Sequence, residues 1–320
     1  MNNNGVRIGK YFKEYKVSNV MAMIKNNAKS PLLCEEDCKG KLVVITGATS
    51  GIGYNAAIKF ASKGADLICI NRNKEKSEEL KHEVESAYSV NCDYFLADLS
   101  SKEDTYQVAH QLMEIEKPID ILIHNAGIYL TKRQITPDGI EKVFMVNHLS
   151  SFIINYMLKD KLKAQGECRI ILVNSEGHRF AAWGMRFDDL DWSKRRYGGL
   201  ASYGTAKLAQ LLSMIKFDAF FRGSGVTINA MHPGAVKSAT GQDNGALYKW
   251  FKKNSLDKKL KPTSIAAEAL YYLGICKDIE ATSGKFYNLT TLENPAPPAS
   301  DEENAQILWE LSIKMASLEE

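Results

Sequence analysis

The chain has 320 residues, of which 45% are hydrophobic and 25% charged, and its formal net charge is +3. This profile is typical of a soluble globular protein, and the absence of a long basic block argues against a nucleic-acid-binding surface. No run of about 18 apolar residues occurs, so no transmembrane helix is predicted, and the six cysteines form no disulfide-framework pattern, which suits a reducing cytoplasm.

Residues 1–40 form an N-terminal extension before the first strand pattern. They lack the continuous apolar core of a signal peptide and carry the pattern of a short basic amphipathic helix. The alternatives are that such a helix makes weak peripheral contact with a membrane surface, that it docks on the domain, or that the segment is partly disordered. Cys34 and Cys38 have half of a metal-site spacing, but no second Cys/His pair accompanies them, so no metal site is predicted.

From residue 41 onward, strand patterns alternate with helical patterns, which is typical of a doubly wound α/β sheet with helices on both faces. The strand runs are apolar throughout, as expected for parallel strands covered on both sides. We therefore predict a single Rossmann-type domain over residues 41–320, with about seven strands and a C-terminal helix at about 301–318 capped by Ser300. The predicted strands are 41–46, 65–72, 92–98, 119–125, 168–175, 226–234 and 284–289, and the other predicted helices are 51–64, 74–88, 103–116, 139–163 and one carrying Tyr203 and Lys207.

The first functional motif is the turn TGATSGIG at residues 46–53, between the first strand and the helix that follows it. Gly47, Gly51 and Gly53 allow a tight turn, close approach of a pyrophosphate and close packing of the helix. The amides at the helix N-terminus point towards the phosphates. In this context the turn predicts a dinucleotide site rather than a purely structural turn.

The end of the second strand indicates which dinucleotide is bound. NAD-binding folds carry an acidic residue about 20 residues past the glycine turn, for the ribose 2′-hydroxyl. This chain has Asn71, Arg72 and Asn73 there, followed by Lys74. The planar guanidinium of Arg72, helped by Lys74, suits a 2′-phosphate; the alternative is an arginine that is simply solvated at a helix start. The pattern favours NADP(H) over NAD(H).

Six motifs occur in one order along the chain: TGATSGIG at 46–53, HNAG at 124–127, VNHLSSF at 146–152, VNS at 173–175, YGTAK at 203–207 and HPGAV at 232–236. This ordered set resembles the short-chain dehydrogenase/reductase family over residues 41 to about 290. The wording VNHL, the SEGH after the fifth strand, FDDL at 187–190 and the terminal LWELS are similar to the branch of retinol dehydrogenases and WW-domain oxidoreductases.

The resemblance implies a role for each matching residue. Asp98 matches a position that contacts adenine, residues 125–127 support the cofactor cleft, and residues 233–234 lie beside the nicotinamide. The implied catalytic residues are Asn147, Ser175, Tyr203 and Lys207. The implied cofactor-binding residues are Thr46, Gly47, Thr49, Ser50, Gly51, Ile52, Gly53, Arg72, Asp98, Leu99, Asn125, Ala126, Gly127, Tyr203, Lys207, Pro233 and Gly234.

The implied mechanism makes chemical sense, because reducing a carbonyl requires a proton donor at oxygen while a hydride reaches carbon. Tyrosine has a pKa near 10, and the ammonium of Lys207, one helical turn from Tyr203, is expected to lower that pKa together with the cationic nicotinamide. Lys207 would also bond the nicotinamide ribose. Ser175 would hold the substrate oxygen, and Asn147 would anchor a water in a proton relay.

Some positions depart from the family pattern. Asn174 stands where a second serine is common, which leaves Ser175 as the clear donor. His124 replaces a common asparagine and is interpreted as a polar residue of the core or cleft, whereas His178 either touches substrate or has a structural role. Ser50 stands where some NADP-dependent members carry a basic residue, so the cofactor preference rests mainly on Arg72.

Two long segments are expected to border the substrate. The insertion between Ser175 and Tyr203 covers one side of the cleft, and residues 237–260 form a lid. Aromatic residues in both segments suit an apolar or bulky carbonyl or alcohol, although aromatics also pack cores. The KWFKK stretch of the lid either touches a membrane or forms a solvated face.

The sequence thus predicts a cytoplasmic, NADP(H)-dependent oxidoreductase that interconverts an alcohol and a carbonyl without a metal ion. The alternatives are a non-catalytic, nucleotide-sensing interaction protein on the same fold and a nucleotide-sugar epimerase. The resemblance also implies a homodimer or homotetramer formed through the helices around Tyr203, unless the N-terminal extension blocks that contact.

Overall fold

The computed structural model describes residues 9–236, 244 and 260–319. Within these ranges, eight strands form one sheet in the order β3-β2-β1-β4-β5-β6-β7-β8. Every neighbouring pair is parallel except β7 with β8. The strands are β1 Leu42–Thr46, β2 Asp66–Asn71, β3 Cys92–Leu96, β4 Ile121–His124, β5 Cys168–Val173, β6 Val226–His232, β7 Phe286–Asn288 and β8 Thr291–Leu292.

The sheet is buried on both faces, as its uninterrupted apolar strands predict. All five residues of β1 are buried, and they alternate between two cores: Val44 packs with one, and Val43 and Ile45 with the other. A strand that must bury both faces has no polar side, because each face is covered by helices. The predicted doubly wound α/β fold is confirmed.

The strand order creates the crevice in which a ligand can bind. The chain runs outward from β1 to β2 and β3, and then crosses back to β4 on the other side of β1. The connections that leave the carboxyl ends of β1 and β4 therefore diverge, and this divergence opens a cleft at that edge of the sheet.

Helices cover both faces of the sheet. One layer contains α4 (Lys102–Glu114), α6 (Ser150–Gln165), α7 (Gly199–Phe221) and α9 (Glu302–Ala316), and the other contains α2 (Gly51–Ser62), α3 (Lys74–Tyr88) and α8 (Ser264–Ile275). The predicted helix at 139–163 starts at Lys142 and is interrupted by a π-helical turn over Met145–Leu149. The helices are α1 Val17–Asn27, α2 Gly51–Ser62, α3 Lys74–Tyr88, α4 Lys102–Glu114, the single turn α5 Lys142–Phe144, α6 Ser150–Gln165, α7 Gly199–Phe221, α8 Ser264–Ile275 and α9 Glu302–Ala316.

The C-terminal region differs from the prediction in two details. The two-residue strand β8 is too short to show a sequence pattern, and it brings the strands of the described ranges to eight. The cap of α9 is Asp301 rather than Ser300, because the 3₁₀ turn Pro297–Ser300 runs through the serine. The Asp301 carboxylate accepts a hydrogen bond from the backbone amide of Asn304 at 3.0 Å.

The described part of the N-terminal extension packs on the domain. The Tyr11 hydroxyl donates to the carboxylate of Asp301 at 2.6 Å, which joins the extension to the cap of α9. The Tyr15 hydroxyl donates to the carbonyl oxygen of Ala182 at 2.8 Å. At the other end of α1, the Asn26 amide donates to the buried carboxylate of Glu293 at 2.9 Å.

The C-terminal helix α9 covers the outer faces of α6 and α7. The ring of Trp309 lies 5.0 Å from that of Phe152 on α6 and 4.8 Å from that of Phe217 on α7, measured between centroids. Both contacts are edge-to-face, a favourable arrangement for aromatic rings. Part of the surface of α7, the helix that carries Tyr203, is therefore covered by the C-terminal helix.

The predicted substrate lid at residues 237–260 lies outside the described residues, apart from Asn244 and Leu260. Asn244 is buried, and its side-chain oxygen accepts from the backbone amide of Thr131 at 2.7 Å and from the Thr131 hydroxyl at 2.9 Å. Its amide donates to the carbonyl oxygen of Tyr129 at 2.7 Å. These bonds fix one point of the segment against the loop after β4.

Candidate active site

The glycine turn between β1 and α2 has a geometry that only glycine fits. Gly47 and Gly51 have φ angles of 70° and 61°, in the left-handed region. A Cβ atom on Gly53 would lie 2.2 Å from the carbonyl oxygen of Gly47, so a side chain there would separate the helix from the turn. The turn is therefore held tightly against the start of α2, whose free amides face the cleft.

Three polar side chains, at the ends of neighbouring strands, hold this turn in place by hydrogen bonds to the backbone. The Thr46 hydroxyl accepts from the backbone amides of Asn125 and Ala126 at 3.0 and 2.9 Å. The Asn125 amide donates to the carbonyl oxygens of Thr46 and Gly47, both at 3.0 Å. Asn71, the last residue of β2, accepts from the backbone amide of Ala48 at 2.8 Å. These bonds tie the ends of β1, β2 and β4 into one rigid floor.

Asn71 makes a contact with the glycine turn that the sequence reasoning missed. It is buried, and its side-chain amide nitrogen Nδ2 has no hydrogen-bond partner within the described ranges. The available signal was an asparagine closing the otherwise apolar strand pattern LICIN. A buried donor without a partner is costly, so this atom marks a place where a polar ligand group fits.

The far end of the cleft carries the residues expected around the adenosine. Arg72 is exposed at the end of β2 and lines the cleft together with Asp98 and Leu99. The Asp98 carboxylate accepts from the backbone amide of Ser100 at 2.9 Å. The ammonium of Lys74 lies 3.8 Å from the Glu78 carboxylate, on the exposed surface of α3.

Tyr203 lies near the start of α7 and faces Ser175, which follows β5. Tyr203 and Ser175 line the same cleft, and the Ser175 hydroxyl accepts from the backbone amide of Gly177 at 2.9 Å. Burial raises the pKa of Tyr203 above its usual value, and the nearby Ser175 hydroxyl opposes this only in part. The predicted lowering of the Tyr203 pKa is therefore not found in the protein alone.

Lys207 is buried one turn along α7 from Tyr203. Its ammonium donates to the carbonyl oxygen of Val173 at 2.7 Å and lies 6.0 Å from the centroid of the Tyr203 ring. Burial lowers the pKa of Lys207 to about 7, because a charged ammonium loses hydration in the interior. Near neutral pH this side chain is thus close to the midpoint of its titration.

Asn147 is held within the π-helical turn beside the catalytic helix. Its side-chain oxygen accepts from the backbone amide of Ile128 at 2.7 Å, and its amide donates to the Ile128 carbonyl oxygen at 2.9 Å. A Cβ atom on Gly127 would lie 3.1 Å from that side-chain oxygen. Short π-helical segments of this kind are frequent at functional sites, since they re-aim a side chain without ending the helix.

Two glycines that the sequence reasoning did not single out allow the catalytic groups to approach each other. A Cβ atom on Gly177 would lie 2.6 Å from Cε1 of Tyr203. A Cβ atom on Gly204 would lie 2.8 Å from the Gly177 carbonyl oxygen. The backbone of the loop after Ser175 therefore packs directly against the start of α7. The sequence offered only the two glycines themselves as a signal of this contact, one shortly after the VNS motif and one within YGTAK.

The histidines near the site have structural contacts. His124 is buried and bonds Asn155 at 2.7 Å, and burial lowers its pKa to about 4. Both ring nitrogens of His178 are in use: Nδ1 bonds the Ser175 carbonyl oxygen at 2.7 Å, and Nε2 accepts from the Ala296 amide at 3.0 Å. His178 thus fixes the backbone of Ser175 rather than facing the cleft.

These groups surround one cleft with a volume of about 660 Å³, large enough for a dinucleotide portion and a substrate. In the described ranges, no group of three or more His, Cys, Asp or Glu side chains is arranged to hold a metal ion. Four of the expected site residues do not line the cleft but support the residues that do: Thr46, Gly51, Gly53 and Asn147. The expected site residues that line the cleft are Gly47, Thr49, Ser50, Ile52, Arg72, Asp98, Leu99, Asn125, Ala126, Gly127, Ser175, Tyr203, Lys207, Pro233 and Gly234.

A parallel sheet with a glycine cradle at its switch point, and beside it the half-buried Ser175 and Tyr203 with the buried Lys207, defines a nucleotide-dependent oxidoreductase on a Rossmann-type fold. Residues 41–185 match the family model described as short chain dehydrogenase. Human retinol dehydrogenase 13 is 36% identical over 287 residues, which cover 88% of this chain and 86% of that protein. The chain belongs to the short-chain dehydrogenase/reductase family.

Two further relatives agree with this assignment. The human WW domain-containing oxidoreductase is 30% identical over 294 residues, covering 89% of this chain and 70% of that protein. The structure of a short-chain dehydrogenase from Sphingobium yanoikuyae in complex with NADPH superposes with a TM-score of 0.57 at 22% identity, covering 72% of this chain and 82% of that one. The predicted resemblance to the retinol-dehydrogenase-like branch is confirmed.

Proposed function

We propose that this oxidoreductase uses NADP(H) to interconvert an apolar or bulky carbonyl and its alcohol, with Tyr203 as the acid and base. The observation that carries the proposal is the meeting of Tyr203, Ser175 and Lys207 in the cleft that also contains the glycine cradle. In the reducing direction, the carbonyl carbon gains a hydride and the carbonyl oxygen takes the proton of the Tyr203 hydroxyl. The hydride brings both electrons and one hydrogen, and the tyrosine brings the second hydrogen as a proton and is left as a phenolate.

The residues around the glycine turn fit a dinucleotide. The close approach of Gly53 to Gly47 leaves room for a pyrophosphate above the turn, and the unpartnered Nδ2 of Asn71 offers a buried donor beside it. Pro233 and Gly234 border the cleft after β6, on the side where the family places the nicotinamide. When bound, NADP(H) would supply or accept the hydride.

Each catalytic side chain has a task that its environment supports. Tyr203 stays protonated at neutral pH because its pKa is raised, so it is ready to donate a proton to a reduced oxygen. Ser175 holds the substrate oxygen close to that proton, since its backbone is fixed by His178. Lys207 adds positive charge beside the tyrosine and takes part in the proton relay that reprotonates it. Asn147 anchors the water of that relay.

The preference for NADP(H) rests on Arg72. The position that would carry an acidic group in an NAD-dependent fold is basic here, and its guanidinium lines the adenosine end of the cleft. The Sphingobium yanoikuyae neighbour is described in complex with NADPH.

The substrate class rests on the apolar side chains that line the cleft beside the proposed catalytic groups. Tyr129, Phe180 and Leu200 line the cleft, and the Tyr129 ring lies 6.0 Å from that of Tyr203. These apolar side chains suit a hydrophobic carbonyl, in line with relatives named as retinol dehydrogenases.

Free, buried cysteines throughout the described ranges suit a reducing compartment such as the cytoplasm.

Titration of the purified chain with NADPH and with NADH, followed by nicotinamide fluorescence, tests the proposal. We expect tighter binding of NADPH, and its oxidation when a panel of aliphatic, aromatic and polyene aldehydes and ketones is added. Tight binding without turnover across the panel would support the nucleotide-sensing alternative. Binding of neither nucleotide by the folded protein would contradict the proposed function.

A further inference from the structure

The amphipathic helix α1 is oriented with its apolar side outward. Val17, Val20, Met21 and Ile24 are all exposed, and at 3.6 residues per turn they share an arc of about 100°. Val17, Met21 and Ile24 are 79%, 60% and 56% exposed. A helix that serves only the core of its own domain packs this side inward. In α1 the apolar side instead faces away from the domain.

The side of α1 that contacts the domain is mainly polar. Asn26 is buried and donates to the Glu293 carboxylate, while Asn27 accepts from the Asn288 amide at 2.8 Å. Asn19 and Met23 are half-buried. These specific hydrogen bonds hold α1 in its orientation, so the outward direction of the apolar stripe is fixed by the fold.

Apolar exposure continues on both sides of the stripe. Phe12 precedes α1, and Leu32 and Leu33 follow it, all exposed. The Tyr15 ring meets the ring of Trp183 edge-on at 6.4 Å, and the Trp183 side chain is itself exposed. The apolar surface of the extension therefore reaches the segment that follows Ser175, in which Phe180 lines the active-site cleft.

The charge around the stripe is positive. Residues 9–33 contain one acidic residue, Glu14, and five lysines: Lys10, which pairs with Asp301, and the exposed Lys13, Lys16, Lys25 and Lys29; the acidic run 35–37 begins two residues after Leu33. By helical geometry Lys16 and Lys25 flank the stripe on opposite sides, each about 90° from its centre. Such a surface suits an anionic bilayer. The exposed aliphatic side chains can enter the acyl-chain region, and the lysines beside them can contact the negatively charged headgroups.

We propose that α1 and its flanking residues Phe12, Leu32 and Leu33 form a docking surface for an anionic lipid bilayer. The stripe enters the headgroup boundary while Lys16 and Lys25 bond the phosphates and carboxylates of the lipids. This docking does not depend on the proposed catalytic function. Delivery of an apolar substrate from the bilayer to the nearby cleft would rest on that function.

The test uses the full chain and sedimentation with vesicles of phosphatidylcholine alone or mixed with phosphatidylserine. We expect binding to the mixed vesicles, weakened by added salt, and much less binding to the neutral ones. Val17→Gln/Met21→Gln/Ile24→Gln should reduce the bound fraction at least about tenfold. Because all three side chains are exposed, the thermal unfolding midpoint by circular dichroism should stay at the wild-type value.

A matched pair of single variants controls for a general loss of surface hydrophobicity. Met21→Gln should lower vesicle binding several-fold, whereas Met113→Gln, at a methionine on α4 that is 43% exposed, should leave it unchanged. Equal binding by the triple variant and wild type would overturn the proposal, as would wild-type protein that leaves both vesicle types unbound. A dimer that Met21→Gln dissociates, with no binding to vesicles, would also overturn it and would assign the stripe to a second copy of the chain.

Discussion

The ammonium nitrogen of Lys207 on α7 lies 2.7 Å from the carbonyl oxygen of Val173, the last residue of β5. Val173 is two residues before Ser175, so one hydrogen bond ties the lysine to the strand that presents the serine. The same bond satisfies a buried ammonium, which would otherwise be costly. The position of Lys207 relative to Ser175 is thus constrained by the end of a central strand.

Replacing Tyr203 with phenylalanine removes the proposed proton donor and leaves the ring in place. Tyr203→Phe should lower kcat for carbonyl reduction by about 10²–10⁴-fold, the usual contribution of a positioned acid. NADPH affinity, measured by fluorescence titration, should change little. Tyr94→Phe, at a hydroxyl that contacts Glu78 on the surface, is the control and should keep full activity. An active Tyr203→Phe variant would contradict the mechanism.

The low pKa of Lys207 predicts a pH dependence of reduction. Burial lowers that pKa to about 7, while the pKa of Tyr203 is raised above 10. Raising the pH through 7 therefore removes the lysine charge first, with the tyrosine still protonated. We expect kcat/KM for reduction, which reports the free enzyme, to fall as the pH rises from about 6 to 8. A profile that is flat up to pH 9 would show that the lysine charge is not required.

Arg72 is expected to determine the choice between the two nucleotides. Arg72→Asp removes a charge-assisted contact to the 2′-phosphate and adds a repulsive carboxylate, so the affinity for NADPH should fall by about 10–100-fold. The affinity for NADH should stay the same or rise. Lys76→Gln, an exposed change within the first turn of the same helix α3, is the matched control and should leave the ratio of the two affinities unchanged. If Arg72→Asp leaves the ratio of the NADPH and NADH affinities unchanged, the 2′-phosphate must contact a residue other than Arg72.

Gly177 should tolerate no side chain, because its added Cβ would lie 2.6 Å from the Tyr203 ring. Gly177→Ala is expected to displace the ring and lower kcat/KM at least about tenfold, since small misplacements of catalytic groups are costly. At Gly198, the added Cβ would meet its nearest atom at 3.6 Å, which is ordinary contact. Gly198→Ala should therefore keep near wild-type activity; equal losses in the two variants would point to a general effect on α7.

The position of Trp309 predicts the oligomeric state. Since α9 covers the outer faces of α6 and α7, we expect light scattering after size-exclusion chromatography to give the monomer mass of 35.7 kDa. Trp309→Ala should lower the free energy of unfolding by roughly 2–4 kcal/mol, because it leaves a cavity beside Phe152 and Phe217. A stable wild-type dimer cross-linked through α6 and α7 would require that α9 move away from them.

The sequence predicted those parts of the site that depend on short-range patterns. The glycine turn and the Tyr203–Lys207 pair follow from local spacing, and the order of the strands and helices follows from hydrophobic patterning. It did not predict contacts made across the fold: the bond from Asn71 to the glycine turn, and the packing of Gly177 on Tyr203. Nor did it predict how α1 would orient its apolar side, because hydrogen bonds to residues near the C-terminus decide that orientation.

The bonds of Tyr11 to Asp301 and Asn304 join segments that lie 290 residues or more apart in the sequence. During synthesis Tyr11 therefore leaves the ribosome long before these partners are made. Its segment consequently reaches its place only after the sheet-forming residues of β1 to β8 have been synthesised. A truncated product that stops short of Asp301 would leave Tyr11 without this anchor, so proteolysis within residues 9–33 would report on whether α9 is present.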